Sequence, residues 1–321
     1  MKAVEIHNLE GPDRALRVAD VPDPTPSPEQ VLVEVHAIGV SFPEVLQTRG
    51  MYQFKPELPF IPGSEVGGVI RSAPADSGFK PGDRVAAFTM LGAFAELAVA
   101  LPAHLAALPD GLDFQQGAAL ILNYHTAWFS LVTRGRLEAG ERVLVHGAAG
   151  GVGTASLQVA KGLGAETVAI VSTDAKEEVA RAAGADHVLR SDADWREGAK
   201  ALGGIDVVID PVGGDRFTDS IRSLRVGGRV VVVGFTEGSI PEVKVNRLLL
   251  GNTEIVGAGW GAYALARPDY VSETSAEIAK LIAAGFVKPI IGAAFGLDQA
   301  AEALKLIDSR GATGKVVLDL A

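Results

Sequence analysis

The sequence has 321 residues, 48% of them hydrophobic, 21% charged and 6% aromatic, and its 29 basic against 39 acidic side chains leave a formal net charge of −10. That balance argues against a general affinity for nucleic acid or anionic membrane, which needs clustered lysine and arginine, and the absence of cysteine excludes disulfides, thiolate metal ligands, iron–sulfur clusters and a cysteine nucleophile. At about 150 residues per domain, two domains are expected. The start, Met1 to Glu5, carries no basic-then-apolar leader pattern, and no apolar run reaches the roughly 20 residues of a membrane helix, so a soluble, cytoplasmic protein is expected.

The first stretch of about 110 residues concentrates proline at 22, 24, 26 and 28 and again at 56, 59 and 62, between short alternating runs such as Val31 to Val35. Proline punctuation around short strands predicts an antiparallel β domain. From about residue 140 the pattern changes to apolar β-branched runs, Val143–Val145, Val168–Val171, Val207–Ile209 and Val230–Val233, separated by helical stretches. Strands buried on both faces and alternating with helices predict a doubly wound parallel sheet, so the expected class is α/β. After about residue 265 the chain reads as helical over Ser275–Ala284 and Leu297–Ile307 and then as a short strand, Lys315–Leu320, able to close either domain.

The run Val143-Leu144-Val145-His146-Gly147-Ala148-Ala149-Gly150-Gly151-Val152-Gly153-Thr154 reads as strand, tight turn and helix start. Glycine there lets backbone approach a pyrophosphate, with the free N–H groups and positive dipole of the helix start facing it. A glycine cluster alone also occurs in turns that bind nothing, but the preceding strand and the following βαβ series are the context of a dinucleotide site. The candidate contacts are Ala149, Gly150, Gly151 and Val152.

The next strand ends at Val171, where sites preferring NAD place an acid on the adenosine ribose. Here the sequence offers Ser172, with room and a donor for a 2′-phosphate, and the charges of Lys176 and Arg190. Asp174 counts the other way, as a ribose ligand or a phosphate repeller, and Lys176 and Arg190 also read as solvated surface residues. The pattern predicts NADPH as the cofactor. Asp210-Pro211-Val212-Gly213-Gly214 and Val233-Gly234-Phe235 end two further strands, where open α/β sheets bind ligands, so Val212, Gly234 and Phe235 are candidate contacts to the nicotinamide half.

The ordered series Ala37 to Glu44, Arg49-Gly50-Met51-Tyr52, Leu58 to Gly68, Gly82-Asp83-Arg84-Val85 and the turn His146 to Gly153 resembles the medium-chain dehydrogenase/reductase superfamily over essentially the whole chain. Within it the series is most similar to the zinc-independent NADPH:quinone oxidoreductase, or zeta-crystallin-like, branch. The resemblance implies a GroES-like substrate domain over 1–122 and 266–321, a Rossmann domain over 123–265, an active site in the cleft between them, and a homodimer, for which the stretch 244–256 offers a sheet edge. It implies an active-site role for Tyr52 as hydrogen-bond donor to the substrate oxygen, and for Ser41, which stands where many members have asparagine; Leu46 stands where some have a second tyrosine. It places Thr126 beside the nicotinamide and Lys315 near the cofactor. Trp260, in a glycine-flanked run, reads either as lining the substrate mouth or as packing.

Zinc-dependent relatives have cysteine near the position of Ser41 and histidine near that of Ser64, so no metal is expected: serine is a poor zinc ligand, and the six histidines, at 7, 36, 104, 125, 146 and 187, lack ligand spacing. Without zinc to polarise a carbonyl, alcohol oxidation is disfavoured. The expected reaction is direct hydride transfer from NADPH to a quinone or an α,β-unsaturated carbonyl compound. The alternatives are an enoyl-thioester or 2-alkenal reductase, and a catalytically weak NADPH-binding protein with a structural or regulatory role. No membrane or nucleic-acid partner is expected.

Overall fold

The computed structural model describes residues 1–267 and 269–320. The chain forms two compact units, one of Met1–Leu122, Pro268–Ser275 and Pro289–Ala321, the other of Asn123–Arg267 and Ala276–Lys288.

In the first unit, strands β1 (Lys2–Ile6) and β2 (Leu16–Asp20) form an antiparallel hairpin. A larger sheet is built on β3 (Val31–Val40), whose even alternation Val31, Val33, Val35 sends valines inward before both faces become buried. It pairs antiparallel with β4 (Glu65–Ser72) and β6 (Leu97–Ala100), and β4 carries β5 (Arg84–Phe88), which carries β7 (Leu105–Ala107). Glycine is required where β4 crosses its neighbours: a Cβ on Gly68 would stand 2.1 Å from the Glu34 carbonyl oxygen, and one on Gly67 2.2 Å from that of Phe114.

The second unit holds the parallel sheet: β8 (Arg142–Val145), β9 (Glu166–Val171), β10 (His187–Arg190), β11 (Ile205–Asp210), β12 (Leu224–Val232) and β13 (Glu254–Gly257), in spatial order β10-β9-β8-β11-β12-β13. Counted from β8 this is 3-2-1-4-5-6, the doubly wound order of dinucleotide-binding folds, and its direction reverses between β8 and β11. The core beneath it is Leu144, Val168, Ile170, Val208 and Val230, with Phe217 and Ile221 packed on from the helix Phe217–Ser223. The stretch 244–256, read as a sheet edge, is strand only at β13; Asn246–Gly251 is a short helix ended by Asn252 in the left-handed conformation.

The tail closes the first unit. Strands β14 (Ile291–Gly296) and β15 (Lys315–Asp319) pair parallel, and β15 lies antiparallel to Ala37–Val40 of β3. Arg49 binds the Asp308 carboxylate through both terminal nitrogens, at 2.9 and 2.6 Å, tying the helix Ala300–Asp308 to the segment after helix Phe42–Gln47. Residues 276–288, assigned with 266–321 to the substrate domain on sequence, group instead with the second unit. Their packing explains it: Gly162, at the end of helix Gly151–Gly162, faces Leu281 and Phe286, and the Gln158 amide donates to the Lys288 carbonyl at 2.9 Å while its oxygen accepts the Lys288 N–H at 3.0 Å. Among the described residues no helix is long and apolar enough to cross a membrane.

Candidate active site

The second unit presents the candidate nucleotide cradle. Helix Gly151–Gly162 starts at Gly150, which has no side chain to cap it, so the first-turn N–H groups are left to an outside acceptor. The turn before it is closed by the Gly150 N–H on the Gly147 carbonyl at 3.0 Å, with Gly147 at φ 58°. Two of its glycines leave little room for a substituent. A Cβ on Gly153 would lie 2.2 Å from the Gly147 oxygen, and one on Gly151 2.4 Å from the Asn123 amide nitrogen. Ala149 is buried and Val152 half-buried in this turn. Asn123, not singled out on sequence, is therefore part of the wall; only its proximity in the fold, 28 positions away, reveals it.

At the end of β9, Ser172 is exposed, and the Lys176 ammonium stands 3.5 Å from its hydroxyl. Arg190, ending β10, donates to the Ser172 carbonyl at 2.8 Å and pairs with Asp174. The three residues singled out for a 2′-phosphate thus converge, and the Asp174 carboxylate is engaged by Arg190. On the other side of the switch point, the buried Asp210 carboxylate accepts the N–H groups of Val212 and Gly213 at 2.8 and 2.9 Å, fixing the turn after β11. The Glu237 N–H on the Val212 carbonyl, at 3.0 Å, ties this turn to the segment of Gly234 and Phe235 after β12. Thr126 is buried and begins the single α-turn Thr126–Trp128 between two π-helical stretches, Leu120–His125 and Phe129–Arg134; such widened turns recur at functional sites. Trp260 packs: it is buried and stands edge-on to His125, ring centres 5.8 Å apart.

The first unit presents donors to oxygen. Tyr52 is half-buried and lines a cavity of about 500 Å³ with Leu9, Gln47, Phe54 and Phe60. Burial, and then the negative charge of Glu44, push its hydroxyl above the usual tyrosine range, so it stays a proton-bearing donor at neutral pH. Beneath it sits a charge cluster. Glu44 is fully buried; its carboxylate accepts the Ser41 N–H at 2.9 Å and the Ser64 hydroxyl at 3.2 Å. Burial raises it to about 7, against the pull of Lys315. Lys315, 3% exposed, pairs with the wholly buried Glu65 and donates to the Ser41 hydroxyl at 2.7 Å. Glu65 also accepts the Leu122 N–H at 2.8 Å. The structure thus gives Lys315, expected near the cofactor, partners inside its own unit. Glu44 was passed over on sequence because an acid in the first turn of a helix reads as a surface residue. Gly39 gives the cluster space: a Cβ there would lie 2.2 Å from the Ala118 carbonyl oxygen and 2.6 Å from the Glu65 side chain.

Models of two families match the chain: "alcohol dehydrogenase GroES-like domain" over residues 27–110 and "zinc-binding dehydrogenase" over 151–283. A quinone oxidoreductase of Rattus norvegicus is 36% identical over 99% of this chain and 97% of its own length, and quinone oxidoreductase-like protein 2 of Mus musculus is 37% identical over 95% and 89%. Among solved structures, the quinone oxidoreductase of Thermus thermophilus, determined also with NADPH, superposes with a TM-score of 0.87 at 34% identity, covering 100% of both chains. That of Escherichia coli in complex with NADPH gives 0.90 at 29% identity over 99% and 100%.

The chain belongs to the zinc-independent quinone oxidoreductase branch of the medium-chain dehydrogenase/reductase superfamily.

As a member of this family the chain is an oxidoreductase with a GroES-like unit and a Rossmann-type unit. Because one family model is named for zinc, the metal's fit matters. The residues do not fit it: the Ser41 hydroxyl and the Glu65 carboxylate already share the Lys315 ammonium, so a cation of the chain's own stands among them. Among the described residues no group of three or more His, Cys, Asp or Glu is arranged to hold a metal ion. His146, buried against Ser220 at 2.8 Å, is pushed down to about 4 by burial and serves the core.

Proposed function

We propose that the chain is an NADPH-dependent reductase that passes hydride directly, without zinc or flavin, to a quinone or an activated enone. The observation that carries the nucleotide half is the uncapped helix start at Gly150, set at the switch point of the sheet beside Gly151 and Gly153, where a Cβ would clash. Gly150, Gly151 and Val152 would hold the pyrophosphate by backbone N–H groups, and Ser172, Lys176 and Arg190 the 2′-phosphate. NADPH, when bound, supplies the hydride. In the first unit Tyr52 and Ser41 hold hydrogen-bond donors for the oxygen on which negative charge develops, and Leu9, Phe54 and Phe60 give the Tyr52 cavity apolar surface beside Lys55 and Glu57. Val212, Gly234 and Phe235 supply backbone contacts for the nicotinamide half, beside Thr126.

The test is the initial rate of NADPH oxidation by metal-stripped protein with para-quinones, 2-alkenals and enoyl thioesters. Quinone turnover is expected, and Tyr52→Phe is expected to lower kcat on the order of a hundredfold, the cost of one donor to a developing oxyanion. Faster turnover of enoyl thioesters would move the substrate assignment, and inertness with every acceptor while NADPH still binds would leave a binding protein.

Lys176→Ala and Arg190→Ala each remove a charge-assisted bond of about 1.5–3 kcal/mol. Each is expected to raise the Kd for NADPH ten- to a hundredfold while that for NADH changes little; equal losses for both cofactors would place the 2′-phosphate elsewhere.

We further infer a homodimer. Val245, Leu249 and Leu250, on the short helix Asn246–Gly251 and its N-cap that lead into the edge strand β13, are more than 70% exposed. Apolar side chains at an open sheet edge suit pairing with a second copy. Leu249→Asp with Leu250→Asp is expected to halve the mass measured by light scattering; an unchanged mass refutes this interface.

A further inference from the structure

Lys315 opens β15 and Glu65 opens β4, 250 positions apart, yet their side chains meet in the interior beside Ser41. A buried lysine is costly unless its charge is matched, and Glu65 matches it. One consequence falls on Ser41. Its hydroxyl has a single proton and two lone pairs. The ammonium, 2.7 Å away, takes a lone pair, so the hydroxyl proton is turned away from Lys315, and the charge-assisted bond polarises it into a stronger donor. The rest of Ser41 is pinned as well: its N–H is held by Glu44, which is itself held by the Ser64 hydroxyl. Ser41 is the half-buried member of an otherwise buried cluster, and so the one nearest to solvent.

We propose that Lys315, held in place by Glu65, is a positioning residue that turns and polarises the Ser41 hydroxyl toward the acceptor oxygen, giving a fixed positive charge behind the donor without a metal. The proposal rests on the reading of the first unit as the site of a carbonyl or quinone acceptor. Ser41 keeps its proton and Lys315 its own; the hydroxyl stabilises developing charge by hydrogen bonding, and no bond to either residue forms or breaks. Lys315 on this view acts on the acceptor half of the reaction and leaves NADPH affinity alone.

The test is a double-mutant cycle between Ser41→Ala and the paired change Lys315→Met with Glu65→Gln, which removes both charges of the ion pair together. The readouts are kcat, acceptor KM and the Kd of NADPH by fluorescence titration. The paired change is expected to lower kcat by about tenfold or more with NADPH Kd within about twofold, and to lower it less than about twofold further once Ser41 is already alanine. Equal losses in both backgrounds mean that the pair only supports the fold, and overturn the proposal. So does weakened NADPH binding with kcat unchanged, which would make Lys315 a cofactor ligand. Should the paired variant fail to fold, Lys315→Gln with Glu65→Gln keeps hydrogen-bond donors at both positions and runs the same cycle. Absence of turnover by the unmodified protein with every acceptor overturns the reading beneath the proposal and the proposal with it; turnover without the non-additivity overturns the proposal alone.

Discussion

Lys315→Met as a single change is expected to lower the free energy of unfolding by roughly 3–5 kcal/mol, the cost of removing one partner from a buried ion pair. Glu65 is wholly buried, and apart from Lys315 it holds the Leu122 N–H, a bond that does not neutralise a charge. Adding Glu65→Gln should recover most of the loss, because replacing both charges leaves little to desolvate. Urea unfolding of the three proteins measures this; a single variant as stable as the parent would show that the pair contributes nothing. A pH signature accompanies it. Glu44 is raised by burial to about 7, and the ammonium of Lys315 holds it from rising further. A carboxyl with a raised folded-state value binds its proton more tightly folded than unfolded, so its contribution is intact in acid and is lost as pH climbs from about 4.5 toward 7. In Lys315→Met that decline should extend to higher pH, because Glu44 has lost its cationic neighbour.

Gly153→Ala is expected to weaken NADPH binding on the order of a hundredfold while the protein still folds. The methyl group would stand 2.2 Å from the Gly147 carbonyl oxygen and 2.7 Å from the Ala148 backbone. Those atoms belong to the turn and cannot swing aside as a side chain can, so the turn opens and the helix start shifts from the pyrophosphate. Overpacking of this kind costs about 1–3 kcal/mol, which falls here on the bound geometry. Gly261→Ala is the control, since nothing lies within 4 Å of its Cβ position and the residue is helical. Fluorescence titration of both variants with NADPH gives the answer; equal affinities would mean that the glycine turn does not touch the cofactor.

Much of the second unit was legible from the residues. Valine-rich runs buried on both faces gave β8, β9 and β11 within two positions and the end of β12, because burial on two faces demands continuous apolar sequence. The glycines of the turn were legible for the same reason, since close backbone approach excludes every other residue. Residues 276–288 were misplaced because helical periodicity shows that a segment has an apolar face and not which core receives it. The Gln158 pairing with Lys288 and the approach of Leu281 and Phe286 to Gly162 decide that. Ser172, Lys176 and Arg190 were singled out by position after strand ends, whereas the Arg190 pairing that occupies Asp174 depends on the adjacency of β9 and β10. The cluster of Glu44, Glu65 and Lys315 was the least legible part. Glu44 and Glu65 alone read as ordinary surface charges and Lys315 was expected near the cofactor; what brings the three together is their common burial, a product of two strands and a helix meeting from distant parts of the chain.

The interior position of β15, between β14 and β3, also bears on the order in which the molecule is made. Domains generally fold as their residues leave the ribosome, yet the larger sheet of the amino-terminal unit lacks an inner strand until residues 315–319 have emerged. The parallel sheet has all six of its strands once residue 257 is out. The later-encoded sheet is therefore complete first, and until translation reaches Lys315 the nascent chain holds Glu65 without its counter-charge.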